Sequence, residues 1–412
     1  MNRHLHGRPA VCATIGGIHP ADRSSEPGLF ANPTPIVIGL LLAIRLFMGA
    51  VAADSHSLIS DVDIARFHQI ATADGRPYRV LEVEYAPAET AAIKLLAGGS
   101  LRDTALRVAV LALACDLLGF AGLWYGWGRR PAALYLLIGL PLVPFIYSRL
   151  DPLVVMLAIW GLAFARRDRE RAGGATLALA GLTKLWPLII APALLVERRM
   201  RAARWFACLF IAGVIAWIVY GGADAIRQVV SFRDATGWEI ESTVGTIVWL
   251  LTGGPVRLEG GAPRVGEIPG WSKVLLLLVL VAVLAAIWAR ARGRRVDAAG
   301  APSLAALAAL LALSPVFSLQ YALWIAPWAA IAWVDTRTAR YARIGFAISL
   351  LTGILSFLYI KIEPTQWNLL SVRWSVIGVL LLRDGLCVWM AVMWLRREVV
   401  GGARDPVGGL RP

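Results

Sequence analysis

Residues 166–204 read RRDRERAGGATLALAGLTKLWPLIIAPALLVERRMRAAR, and the number of membrane crossings assigned to them fixes the orientation of everything downstream. The stretch 172–196 holds 25 residues between two arginine clusters, 166–171 and 197–204. One helix would fit, since a membrane span needs roughly 20 apolar residues. It would also put the two clusters on opposite sides. If 172–196 instead rises and returns as two short helices, the clusters at 129–130, 166–171, 197–204, 290–295, 335–343 and 396–398 all face the same side. Together they hold 19 arginines against five acids. The long loops 54–101 and 222–270 then share the other side, with 8 basic and 13 acidic residues. Arginine-rich loops stay cytoplasmic, so the hairpin is favoured and both termini are expected inside. Each arm is about 12 residues, or ~18 Å, against a hydrocarbon core of ~30 Å. The tip is therefore expected within the membrane, facing a cavity. Gly181 and Pro187 supply the break and Lys184 sits at the tip.

Composition supports a membrane protein. Of 412 residues, 58% are apolar and only 17% charged, with mean hydropathy +0.65. A soluble domain carries about a quarter charged residues. Apolar segments at 35–53, 104–125, 132–148, 152–165, 205–221, 272–290, 303–318, 321–334, 342–360 and 374–395 predict ten spans beside the half-helix hairpin. Residues 1–33 are expected to be a disordered cytoplasmic tail, retained because no apolar core precedes Ala31. Residues 34–396 form the multi-span domain, and 397–412 a cytoplasmic C-terminal tail. The net charge of +14 is a topology signal and a fit to anionic membrane lipids, with no nucleic acid implied. Cys12, Cys115, Cys208 and Cys387 share no CxxC spacing, and the five histidines share no metal spacing, so neither metal nor cofactor is expected.

Ionisable residues at membrane depth are costly unless paired or functional. Arg45 and Asp116 are balanced between an interhelical pair and a function, and Arg383–Asp384 can pair with other helices. Arg149 and Asp151, in YSRLDP, sit on the same side as the hairpin tip, as an interfacial ion pair or a cavity lining. Lys184, among Leu182, Leu185, Trp186 and Pro187, cannot snorkel past half a helix. An ammonium at a broken helix suits an anionic headgroup such as a phosphate. In loop 54–101, Ile64, Phe67, Ile70 and Ala71 recur at helical spacing, predicting an amphipathic helix from near Asp63. Ser60, Asp61 or Asp63 can cap it; equally, one aspartate at the membrane boundary can serve as general base toward a hydroxyl. Glu82 and Glu84 alternate in an extended run that Pro87 ends, and Tyr78 and Tyr85 suit the interface. In loop 222–270, Val244, Ile247, Val248 and Leu251 predict a second interfacial helix capped by Ser242 or Thr243. Glu239 and Glu241 precede it as helix-start charges, and 253–270 reads as a loop. The turn SPVFSLQYALWIAPW at 314–328 offers Gln320, Tyr321 and Trp324, either an aromatic belt or a lining for a sugar.

Together these segments resemble the family 87 glycosyltransferases, multi-span enzymes of the GT-C type that include polyprenol-phosphate-mannose-dependent alpha-mannosyltransferases. Asp63 with Phe67 and Ala71 is similar to the family's Asp-x-x-x-Tyr opening of the first outer loop. Glu84-Tyr85-Ala86-Pro87 is similar to its Glu-Tyr-Pro-Pro. Arg149-Leu150-Asp151, Lys184-Leu185-Trp186-Pro187, Glu241-Ser242 and Ser318-Leu319-Gln320-Tyr321 with Trp324 match in order and spacing. Phe67, Ala86 and Leu319 depart from a tyrosine and two prolines, and Ser148-Arg149-Leu150-Asp151 stands where members often carry Gly-Gln-x-Asn. The resemblance implies an all-α GT-C membrane fold. It implies transfer of a hexosyl group, mannosyl in the named members, from a polyprenyl-phosphate sugar to a hydroxyl of a lipid or glycan acceptor. The site would lie at the outer face of the bacterial cytoplasmic membrane. Asp63 is its expected base, with Asp61 as substitute. Lys184 and Arg149 would hold the donor phosphate. Glu84, Tyr85, Asp151, Glu241, Gln320, Tyr321 and Trp324 would meet sugar or acceptor. A secondary transporter or flippase of a polar or lipid-linked substrate is the rival reading, but no second copy of the Lys184 hairpin is found.

Overall fold

The computed structural model describes residues 33–54, 61–231, 236–362 and 369–396. Apart from Pro33, both expected tails lie outside the described residues. The first span is α1 (Pro35–Asp54). The helices of the first long loop, α2 (Asp61–Thr72) and α3 (Pro87–Leu95), follow. Next come α4 (Leu101–Trp127), α5 (Arg129–Ile138) and the short α6 (Val143–Ile146). The central run is α7 (Asp151–Arg166), α8 (Glu170–Thr183), α9 (Pro187–Ile190), α10 (Ala193–Val196) and α11 (Met200–Gly221). The second long loop carries α12 (Asp224–Val230), β1 (Trp238–Glu239), α13 (Thr243–Thr252), β2 (Arg257–Glu259) and β3 (Ala262–Val265). The chain closes with α14 (Gly270–Arg292), α15 (Ala301–Leu313), α16 (Ala326–Val334), α17 (Ala339–Lys361) and α18 (Leu370–Arg396).

Among the described residues, seven helices are long and apolar enough to cross a membrane: Pro35–Ala53, Leu101–Trp127, Arg129–Ile146, Met200–Gly221, Gly270–Arg292, Ala339–Tyr359 and Val372–Arg396. The chain is a multi-pass membrane protein. The expected spans at 152–165, 303–318 and 321–334 fall on shorter helices, α7, α15 and α16. Alanine-rich α15 has nearly every residue buried, and α16 is buried on most sides. Backbone enclosed by protein need not match lipid thickness, because neighbouring helices replace lipid around it. By contrast, Val274, Leu277, Leu278 and Val281 of α14 face outward, as a lipid-facing helix requires.

Segment 172–196 folds back on itself. The tip of α8 meets the start of α7, because Lys184 bonds Asp151. At the other end, Arg199 pairs with Asp168 and the Ala202 amide donates to Glu170 at 3.1 Å. The arginine clusters 166–171 and 197–204 therefore lie together. Arg166–Asp297 at 2.8 Å and Ala298 N to Glu197 at 2.9 Å bring the turn after α14 to the same end. The break itself is an extended residue at Lys184, followed by Pro187 at the start of α9.

The two long loops differ from an all-α expectation. α2 buries Ile64, Phe67, Ile70 and Ala71 against Val83, Ile93, Val108 and Trp217, and α3 begins at the proline expected only to end a run. α13 is capped by Ser242, whose side chain accepts from Gly245 N. A methyl at Gly245 would collide with the Glu239 carbonyl, so glycine there lets α13 sit directly on β1. Residues 253–270, expected as loop, contain β2 and β3, which with β1 form an antiparallel sheet in the order β1-β3-β2. The turn between them is Gly260-Gly261, with φ 61° and 81°. A two-residue hairpin loop with both φ positive demands such residues. Pro263 argues against a central strand from sequence. It is tolerated because it stands opposite Leu258, while its carbonyl accepts from Ile240 N at 3.0 Å.

Candidate active site

A cavity of about 690 Å³ opens between the elements of the two long loops and the hairpin tip. Four groups of elements build its wall. α2 and the segment before α3 contribute Asp63, Glu84 and Tyr85, and α3 adds Glu89. The turn before α7 contributes Arg149, and the hairpin tip Lys184 and Trp186. The sheet contributes Glu239, Gly260, Gly261 and Arg264, and Glu241 follows β1. The 3-10 turn Leu319–Trp324 brings Gln320, Tyr321 and Trp324, with Tyr359 of α17 nearby. Leu185, Leu188, Ile189, Leu310 and Leu311 add apolar surface to the wall.

The expected residues are gathered, with one exception and one gap. Asp63, in the first turn of α2, is ion-paired with Arg149; the two side chains are 23% and 17% exposed, so both reach the cavity. The side chain of Asp61 lies outside the described residues. Glu84 lines the cavity but is also gripped by Arg66 at 2.8 Å, which joins α2 to the stretch before α3. Tyr85 stacks at a tilt on Phe67, centroids 5.4 Å apart. Asp151 is the exception. It stands behind the wall, 1% exposed. It accepts from Lys184 Nζ at 2.9 Å through each oxygen and from Trp324 Nε1 at 2.7 Å.

Lys184 is thus not a bare cation. Two of its three N–H donors are spent on Asp151, and the Glu89 carboxyl lies 3.8 Å away. Its Nζ also stands 5.8 Å from the Tyr321 ring centroid and 5.9 Å from that of Trp324. The three rings form a stack: Tyr321 on Trp324 at 4.1 Å, and Trp324 on Trp186 at 5.3 Å. An anion entering here meets a lysine pre-oriented by Asp151 and Arg149 held by Asp63.

Sequence reasoning missed Glu89, Arg264 and Tyr359, and took Glu239 for a solvated helix-start charge. Glu239 and Glu89 are each 1% exposed. Glu239 is directly cross-strand from Arg264 in the β1–β3 register. The Gly-Gly dipeptide was the available signal for that hairpin. Burial pushes the Glu89 carboxyl up to about 8, with Lys184 opposing and Asp151 and Glu84 adding to it. Glu241 is likewise pushed up to about 8 by burial and by Glu239, with Arg383 opposing. Both values are raised from an ordinary 4.5, so folding takes up protons at these sites. The stability they confer is complete below about pH 4.5 and is lost as pH rises through about 8. The unfolding temperature of the detergent-solubilised protein should fall across that window, and Glu89→Gln should flatten the fall. An unchanged slope in the variant would remove Glu89 from the account.

A multi-pass membrane protein with carboxylates, cations and a stacked aromatic wall around one cavity has the equipment for chemistry on a polar substrate. The chain belongs to glycosyltransferase family 87, whose model matches residues 85–315, more than half of its length. Glycosyl transfer is accordingly its activity. No curated protein matches the chain.

Proposed function

We propose that the protein moves a hexosyl group, mannosyl in the first instance, from a polyprenyl-phosphate sugar to a hydroxyl of a lipid or glycan acceptor at the outer face of the cytoplasmic membrane. The observation that carries this reading is the convergence of Asp63, Arg149 and Lys184 on one cavity whose lining is also partly apolar. The apolar lining, Leu185, Leu188, Ile189, Leu310 and Leu311, suits the first isoprene units of a lipid donor. Arg149 and Lys184 suit its phosphate, which gains negative charge as it leaves. Asp63 takes the proton of the attacking hydroxyl as the new glycosidic bond forms at the anomeric carbon. The hydroxyl oxygen becomes the glycosidic oxygen, the bond from the anomeric carbon to the phosphate oxygen breaks, and polyprenyl phosphate departs with the bonding pair. Asp151 acts at one remove, by aiming Lys184. Gln320, Tyr321 and Trp324 provide amide and ring partners for sugar.

The test is transfer of labelled mannose from polyprenyl-phosphate mannose to an extract of membrane lipids, by the full chain in proteoliposomes. A new labelled glycolipid is the expected result. Movement of labelled donor across the bilayer with no new glycoside would replace the transferase by the flippase reading.

A further inference from the structure

The cavity wall has a feature that phosphate binding leaves unused. Glu239 is almost fully buried, and its Oε1 accepts from the Ser318 hydroxyl at 2.9 Å. Its Oε2, equally buried, accepts no hydrogen bond from any described residue, although the side chain lines the cavity. A buried carboxylate oxygen left without a donor forfeits its hydration with nothing in return. Such an atom is retained where a ligand completes it.

We propose that Glu239, aimed by Ser318 and backed by Glu241, is the hydroxyl-reading residue of a neutral-hexose subsite whose stacking face is Tyr321. This rests on the glycosyl-transfer reading of the same cavity and adds to it where the sugar sits and what recognises it. Three observations converge. The vacant acceptor is an oxygen of a carboxylate, and carboxylates are strong acceptors for sugar hydroxyls. The Tyr321 ring lies between the two: Lys184 Nζ stands 5.8 Å from its centroid, and Ser318, which bonds Glu239, begins the same turn three residues before it. Its ring is stacked on Trp324 and forms part of the cavity wall. A hexose on that ring can direct its anomeric end to Lys184 and its ring hydroxyls to Glu239.

The local charge selects a neutral ligand over an ammonium. Arg264, cross-strand from Glu239, and Arg383 are the cations that Glu239 feels. Arg383 pairs with Asp384 at 2.9 Å. Burial raises the Glu239 carboxyl as well as that of Glu241, which lessens the negative charge an amino sugar would meet.

The experiment is saturation-transfer NMR of the full chain in lipid nanodiscs, titrated with methyl α-mannopyranoside, methyl α-glucopyranoside and glucosamine. The proposal requires saturable binding of at least one methyl hexoside. It also requires a loss of roughly tenfold or more in affinity in Glu239→Gln, which keeps an acceptor for Ser318 but presents an N–H₂ where the oxygen was. Ser318→Ala, which frees the carboxylate to swing, should weaken the same binding less. It serves as the second variant if Glu239→Gln fails to give a monodisperse protein. Absence of hexoside binding, equal affinity in both variants, or tighter binding of glucosamine than of either hexoside would each overturn the subsite. Hexoside binding that depends on Glu239, in a protein that transfers nothing from polyprenyl-phosphate mannose, would leave the subsite standing and sink the choice of donor instead. Transfer that persists while hexoside affinity ignores Glu239 would do the reverse.

Discussion

Asp63→Asn should lower the rate of glycosyl transfer by about 10²–10⁴-fold at saturating donor and acceptor while leaving the unfolding temperature nearly unchanged. Asparagine keeps the shape and the hydrogen bond to Arg149 but cannot take a proton. The side chain is well placed for such a role. It stands on the first turn of α2, whose apolar face is locked into the core of the first long loop by Ile64, Phe67 and Ile70. Arg149 holds one side of the carboxylate, and enough of the group stays open to reach an incoming hydroxyl. The measurement is the single-turnover transfer rate, compared with Asp61→Asn and with the folding control. Full activity in Asp63→Asn with loss in Asp61→Asn would move the base two residues along the same helix turn. Full activity in both variants would end the carboxylate mechanism.

The second large effect is on stability. Arg45 on α1 and Asp116 on α4 are completely enclosed and 2.5 Å apart. The Tyr135 and Tyr147 hydroxyls donate to the same carboxylate at 2.5 and 2.8 Å, and Arg45 donates to the Leu136 carbonyl at 2.9 Å. One carboxylate thus joins α1, α4, α5 and the end of α6. Asp116→Leu leaves the Arg45 charge buried without its counter-ion, which costs about 3–5 kcal/mol. The double variant Arg45→Met with Asp116→Leu removes both charges and should recover most of that loss. Thermal unfolding of the purified protein in one detergent checks both. A single variant as stable as the wild type would show that the cluster does not hold these helices together. Tyr147 lies two residues before Arg149, so the single variant should also weaken donor binding, through misplacement rather than lost contact.

Helix positions were legible because a membrane span is a local property. Twenty apolar residues declare themselves whatever the rest of the chain does, and seven expected spans coincide with long apolar helices. The turn-back at Lys184 was legible for a different reason: one helix would have fitted its 25 residues, and only the sidedness of the arginine clusters along the whole chain favoured a hairpin. The small sheet was not. Its strands have two to four residues, too few to show alternation, and one contains Pro263. α3 and α12 were missed because nine and seven residues give little periodicity.

By itself the sequence determined the membrane class, the broken helix with Lys184 at its tip, and the order of motifs that marks the family. Only the tertiary structure decided which charge answers which. Asp151 serves Lys184 from 33 positions away, and Ser318 serves Glu239 from 79. It turned Asp151 from a sugar contact into the lysine's counter-ion, and a solvated glutamate into a buried one with a vacant oxygen. The reason is physical. A hydrophobic span gains its free energy residue by residue, so its pattern is written along the chain. A buried charge is tolerated only through the partner that repays its desolvation, and that partner is chosen by packing in space.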